Sequence, residues 1–470
     1  MGSKSKSKDL GASTNLDAAR APLLADDGPP APAQRLTIDD MLRLHAGEFG
    51  RWQLRHFVLT CLAWALEAMH TMVMIFADRG GEAAGCPDPT AGAGGGGGGS
   101  TVAEWGLVCG ERYKVGLVQA GFFAGCMIGA GVFGHLSDSF LGRKGSLTIV
   151  CVLNTVFGLL TSLSPSYWAY AALRLLTGFS TGGVGLCAFV LATEPVGPAK
   201  RGAVGMSTFY FFSAGIALLS GVAYLFPPWR HLYVVSSLPS LLFLVSVLPF
   251  LSESPRWYLV RRRPHDAMAV MREIARTNGR RLPDNVSLKL DDDDEEHDKK
   301  EDQNSYSGAA LSGSILDVVR SPTTRVRLVL TVAINLLCSV VYYGINLNVV
   351  NLKTNLYLSV LLNSVAGIFG MAATYNLLFI YTMELFPTVV RNAALGCATQ
   401  AAQMGAILAP LVVVLGEAVP FAVFGACGVV GGLLAFYLPE TMNQPLYDTM
   451  AGMEGGGGGG GGGGEKKYVE

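Results

Sequence analysis

NLYLSVLLNSVAGIFGMAATYNLLFIYTMELF, residues Asn355–Phe386, runs for 32 residues with no charge before Glu384. One straight helix of that length would extend roughly 48 Å, at about 1.5 Å per residue. The hydrocarbon core of a bilayer is about 30 Å thick, and a spanning helix needs about 20 residues. The stretch is long for one span and short for two with a turn. Its context decides what it is.

Of the 470 residues, 50% are hydrophobic and 15% charged, against about 25% charged in soluble domains. Long apolar blocks alternate with short basic loops, the pattern of an all-α, multi-pass protein embedded in a lipid bilayer. The net charge of −1 offers no nucleic acid a partner. The nine cysteines show no metal-ligand spacing, and the glycine tracts lack the Lys-Ser/Thr of a nucleotide loop. No metal, cofactor or enzymatic activity is expected. The polar start MGSKSKSKDLGAS is not a signal peptide.

The blocks divide the chain into a tail (1–54), a six-helix bundle (55–251), a polar interval with the acidic run DDDDEEHDKKED (252–327), a shorter apolar bundle (328–439) and a glycine-rich tail (440–470). Lys and Arg gather on one side of the spans, at Arg51, Arg55, Arg143, Lys144, Lys200, Arg201, Arg391 and throughout 256–327. The positive-inside rule then places both termini and the long interval in the cytosol. Cys86 and Cys109 share the polar segment after the first span, and whether they pair stays open. Leu23-Leu24 is a weak sorting signal, so vacuolar and plasma membranes both remain.

An internal repeat explains the opening stretch. ATEPVGPAKRG, with Glu194 and Arg201, resembles YTMELFPTVVRN, with Glu384 and Arg391, at an offset of 190. Glu253 of FLSESPRW matches Glu440 of YLPETMNQ at an offset of 187. Repeated halves mark transporters built from two bundles. In the first half, Asp138 of GHLSDSFLGRKGS precedes Glu194 by 56 residues; the same distance before Glu384 reaches Leu328, where the half only begins. The second half therefore lacks that loop and two spans. Asn355–Phe386 reads as the front of one helix joined to the back of another, giving about 10 spans instead of 12.

The loop Gly134-x-x-x-Asp138-x-x-x-Gly142-Arg143-Lys144, STVAEWGLVC, LSESPRWYLVRRR and ELFPTVVRN together resemble the major facilitator superfamily. Within it, LATEPVGPAKRG and WALEAMHTMVM are most similar to the plant organic cation/carnitine transporters of the organic ion transporter family, over residues 38–450. The resemblance implies alternating access, with a small organic cation or zwitterion as substrate and H+ or Na+ as coupling ion. Gating contacts would involve Asp138, Gly142, Arg143, Lys144, Glu194, Arg201, Glu384 and Arg391.

Polar and aromatic groups within spans nominate the substrate site. Glu67 and His70 stand three apart on one helix face. Gln119, Phe122, Tyr210, Tyr342, Asn346, Gln400 and Gln403 complete the candidates, with Tyr342 first among the aromatics as the match to a cavity-facing family position. An aromatic cavity with one carboxylate suits a quaternary ammonium group. Two departures work against a cation: Gln403 stands where the cation carriers often have an acid, and no Glu remains near Ser364–Gly367. A sugar porter is disfavoured by EWGLVC. A third reading is a non-transporting, shortened form or an interacting subunit.

Overall fold

The structure is a computed structural model that describes residues 34–79, 99–283, 285–289, 315–352, 354–386, 388–416 and 418–441. Cys86, the acidic run, both glycine tracts and the Arg391 side chain lie outside the described residues.

The chain enters through β1 (Gln34–Leu36), α1 (Ile38–Met41) and a π-helical turn, Leu42–Ala46. Six long helices follow: α2 (Arg51–Ala77), α4 (Tyr113–Asp138), α5 (Gly142–Ser162), α6 (Tyr167–Thr193), α7 (Pro198–Leu225) and α8 (Trp229–Ser246). The short α3 (Thr101–Trp105) sits between α2 and α4. Their starts are local: the Ser100 and Ser166 hydroxyls accept N–H groups at the third helical residue, and Pro198 opens α7.

The interval after α8 is only partly loop. It contains α9 (Pro255–Val260), α10 (Pro264–Thr277) and β2 (Val286–Leu288). β2 pairs in parallel with β1, Gln34 against Val286. Leu42, Trp52, Met271 and Ile274 form a buried core there. Asn278 fastens this cap, accepting the Trp52 N–H at 3.0 Å and donating to the Ala46 carbonyl at 2.9 Å. Folded structure thus reaches into both segments read as polar tail and loop.

The second half holds α11 (Ile315–Arg320), α12 (Pro322–Asn348), α13 (Leu356–Leu385), α14 (Thr388–Val413) and α15 (Val419–Phe436). The opening stretch is α13, one unbroken helix of 30 residues, begun by Asn355, whose side chain accepts the Leu358 N–H at 3.2 Å. Nine other helices among the described residues are long and apolar enough to cross a bilayer. The protein is an integral, multi-pass membrane protein.

Close helix approach organises the first half. A Cβ on Gly129 of α4 would lie 1.8 Å from the Phe179 carbonyl oxygen of α6, and one on Gly178 would lie 2.0 Å from that of Phe122. Two small-xxx-small faces, Gly125/Gly129 and Gly178/Gly182, let these helices touch backbone to backbone. The halves meet at the end opposite the cap. Arg79 donates to the Tyr357 hydroxyl at 2.6 Å, Tyr357 stacks on Phe76 at 5.6 Å, and Arg112 donates to Asn351 at 2.9 Å. Among the described residues, no ion pair joins the halves at the cap end.

Candidate translocation site

A cavity of about 310 Å³ lies between the halves. The first half contributes Trp64, Glu67 and Thr71 of α2, Phe123 and Cys126 of α4, Gly185 and Phe189 of α6, and Phe209 and Phe212 of α7. The second contributes Asn335, Ser339 and Tyr343 of α12, Leu378 and Thr382 of α13, and Ala398 and Gln403 of α14. Trp64 gathers Phe209 at 5.5 Å, Phe212 at 6.3 Å and Phe189 at 6.4 Å, edge to face. Phe123 meets Tyr343 across the halves at 4.9 Å.

Glu67 is the only carboxylate in this lining among the described residues. Gly185 makes room for it, since a Cβ there would lie 2.3 Å from Oε2. That Oε2 is buried with no hydrogen-bond partner among the described residues, as is Trp64 Nε1. A buried acceptor without a donor costs free energy that an incoming ligand can recover.

Of the sequence candidates, Glu67 and Gln403 line the cavity and the others do not. His70 faces α8, with Nε2 3.3 Å from Ser240 Oγ. Gln119 donates to Asp78 at 3.3 Å, and Phe122 lies under the Arg174 guanidinium at 4.3 Å. Tyr210 is 48% exposed on the outer face of α7, and Gln400 is exposed on α14. Asn346 accepts from Asn363, tying α12 to α13. Tyr342 stands off the cavity while its neighbour Tyr343 lines it. Each helical step turns about 100°, so a one-residue misassignment changes the face. Asn335, Ser339, Thr71 and Thr382 were missed, although the same rule of polar groups in spans picks them out.

At the end away from the cap, Asp78 is buried and accepts from Thr101 at 2.6 Å, Tyr170 at 2.8 Å and Gln119. This ties α2 to α3, α6 and α4. Cys109 is disulfide-bonded, with its partner outside the described residues.

At the cap end, Arg143 pairs with Glu194 at 2.9 Å and Asp138 at 2.8 Å, joining α5 to α6 and α4. Glu253 accepts the backbone N–H groups of Arg143 and Lys144, both at 3.0 Å, and so caps α5. Burial raises the Glu253 carboxyl above its ordinary value, opposed by those hydrogen bonds and the Arg143 charge. Lys144 Nζ donates to the Leu251 carbonyl at 2.6 Å. Arg201 reaches Asp39 of the cap at 2.7 Å, and Arg256 also binds Asp39. Asp39 and Arg256 were not among the sequence candidates, and Glu253 was seen only as a repeat landmark. Glu384 is exposed and has no ion pair among the described residues.

Two predictions follow from this network. Arg143→Ala leaves Glu194, only 15% exposed, without its bidentate partner. Breaking a buried pair costs about 3–5 kcal/mol, and partial solvation here reduces that to about 2 kcal/mol. Thermal unfolding of the purified protein should shift down by about 2 °C, given about 2.1 cal/mol/K of unfolding entropy per residue; an unchanged midpoint would remove the network's structural role. Gly142 has φ +78°, and a Cβ there would lie 2.4 Å from Glu253 Oε2. Gly142→Ala should destabilise by about 1–2 kcal/mol through backbone strain alone. Gly142→Asn, which tolerates a left-handed backbone better, distinguishes strain from collision: equal losses would point to the collision with Glu253.

Helical halves around a shared cavity, with ion pairs clustered at helix ends, define a major facilitator-type membrane transporter. The chain matches the sugar (and other) transporter family over residues 98–372. It is 60% identical to organic cation/carnitine transporter 4 of Arabidopsis thaliana, covering 89% of this chain and 91% of that one. Identity to organic cation/carnitine transporter 2 of the same plant is 29%, over 91% and 95% of the two chains. The fold matches the partially occluded, inward-open xylose transporter XylE of E. coli with a TM-score of 0.54, at 17% identity, over 84% and 100% of the chains. The chain belongs to the sugar (and other) transporter family of the major facilitator superfamily, among the organic cation/carnitine transporters. Proteins of this type are transporters, not enzymes.

The first alignment also bears on chain length. It runs over 487 positions yet takes in 89% of a 470-residue chain. Roughly seventy positions of the relative therefore face gaps here, enough for two spans of about 20 residues and their loops.

Proposed function

We propose that the chain is built to carry small organic cations or zwitterions by alternating access, with the substrate held between the halves. The observation that carries this reading is Glu67, an unpartnered carboxylate oxygen in an aromatic cavity reached by both halves. A cation there gains a counter-charge and the faces of surrounding rings. Rocking of the halves would make and break contacts at the two ends. Asp138, Gly142, Arg143, Lys144, Glu194, Arg201, Glu384 and Arg391 are the gating groups in this proposal. With the basic end in the cytosol, the closed Arg79/Arg112 end faces away from it, and the arrangement is inward-facing. H+ or Na+ is the coupling ion in this scheme, and the vacuolar or plasma membrane its place.

A second reading is supported by the alignment gap: a shortened form that binds without transporting. A sugar porter finds less support, because the lining sets aromatic rings around a carboxylate, Glu67. Uptake of radiolabelled tetraethylammonium by cells expressing this chain, with membrane expression measured in parallel, tests the proposal. Saturable uptake above empty-vector cells supports transport. Expression with binding but no uptake favours the second reading.

A further inference from the structure

We propose that this cavity accepts organic cations lacking a carboxylate and discriminates against zwitterions such as carnitine, because no Lys, Arg or His lines it among the described residues. The inference rests on the reading of Glu67 as the substrate's counter-charge. It narrows the substrate class from two kinds of molecule to one.

The sequence limits where a positive charge could come from. No Lys, Arg or His occurs in α4 between Val115 and Gly134, in α7 after Arg201, in α12 from Leu328 onward, anywhere in α13, or in α14 after Arg391. The statement covers every residue of those segments, since it is read from the sequence. Arg391 itself stands in the first turn of α14 with its side chain outside the described residues, and the deeper basic groups are His56, His70 and Arg174 on α2 and α6.

The structure accounts for all three. His56 stacks on Trp52 at 4.7 Å with Nε2 3.2 Å from the Leu191 carbonyl. His70 contacts Ser240. Arg174 is fully buried, donates to the His70 carbonyl at 3.0 Å, and has the rings of Phe122 and Tyr233 against its guanidinium at 4.3 and 5.4 Å. Among the described residues its Nε and Nη1 have no hydrogen-bond partner, and it is not part of the cavity wall.

A carboxylate entering the cavity would meet only neutral donors, such as Asn335 and Gln403, and it would share the space with Glu67. A buried charge without an opposite partner is costly, and like charges at close range add to that cost. A trimethylammonium head meets the opposite situation, a carboxylate and aromatic faces. The volume of about 310 Å³ is at the small end of ligand sites, about 300–1,000 Å³, so the favoured cation is compact.

Carnitine and its methyl ester differ in the charge of one carboxyl group and make the matched test. Each would compete against radiolabelled tetraethylammonium on the purified full-length chain. The ester should displace it at concentrations at least about tenfold lower than carnitine, a difference of about 1.4 kcal/mol or more. Equal potency of the two overturns the inference. In that case, loss of tetraethylammonium binding in Glu67→Gln would show that the cavity reading survives. If neither tetraethylammonium nor the ester binds, or if Glu67→Gln binds tetraethylammonium as the native chain does, the cavity reading fails and the inference falls with it.

Discussion

Glu67→Gln is expected to weaken tetraethylammonium binding at least about a hundredfold while leaving the empty protein as stable as before, or more so. The two halves of this expectation have one cause. At about 4 Å, a carboxylate and a cation attract by about 4 kcal/mol at an effective dielectric constant near 20, which is about a thousandfold in affinity. Desolvation of the cation takes back part of that, hence the smaller figure. In the empty protein the carboxylate has an oxygen buried without a partner. An amide of the same shape removes the charge and keeps the volume beside Gly185. Replacing an uncompensated buried charge is commonly neutral or stabilising. Isothermal titration with tetraethylammonium and thermal unfolding of the same preparation check both halves. Lost binding with a lowered midpoint would indicate a packing role for Glu67, and retained binding would remove it from the site.

Much of this architecture was legible because membrane spans are written in long apolar runs that the chain cannot disguise. The repeat of Glu194/Arg201 at Glu384/Arg391 located equivalent helix ends without any structure, and the Asp138–Arg143–Glu194 contacts occur where charged residues cluster at span ends. The cavity wall was less legible. The candidates Tyr342, Phe122 and Tyr210 each stand one helical step off the face on which Tyr343, Phe123 and Phe209 line the cavity. In a helix apolar all round, neighbouring aromatics carry no signal for which one faces a partner. The cap was hidden for another reason. Its strand pairing joins Gln34 to Val286, and Asp39 meets Arg201 and Arg256. Such contacts depend on distant segments being brought together by the bundle, and short polar segments show no periodicity that announces them.

Inserting the additional residues of the Arabidopsis relative within Asn355–Phe386, where the repeat reading joins two helix ends, is expected to raise tetraethylammonium uptake at least about tenfold per molecule at the membrane. The first half shows what the segment would supply. There α5 packs on α8, with Gly158 close against Ser237, and carries Arg143 to Glu194 and its own N-terminus to Glu253. The second half keeps Glu384, in the position of Glu194, exposed and without an ion pair among the described residues. It keeps α15 in the position of α8, yet Gly425, Gly428 and Gly432 face nothing within 4 Å among the described residues, and Val429 and Leu433 are 64% and 56% exposed. A half that rocks as a rigid body needs its helices fastened to one another, and small-residue faces serve that fastening where a partner helix is present. Among the described residues no helix covers this face of α15. The prediction separates binding from transport: both chains should bind tetraethylammonium equally in detergent, and the saturable uptake of the native chain should rise in the restored one. Equal uptake by the two, at matched expression, would mean that four long helices suffice for a working half. The 30-residue α13 would then do the work of the two helices whose ends it joins.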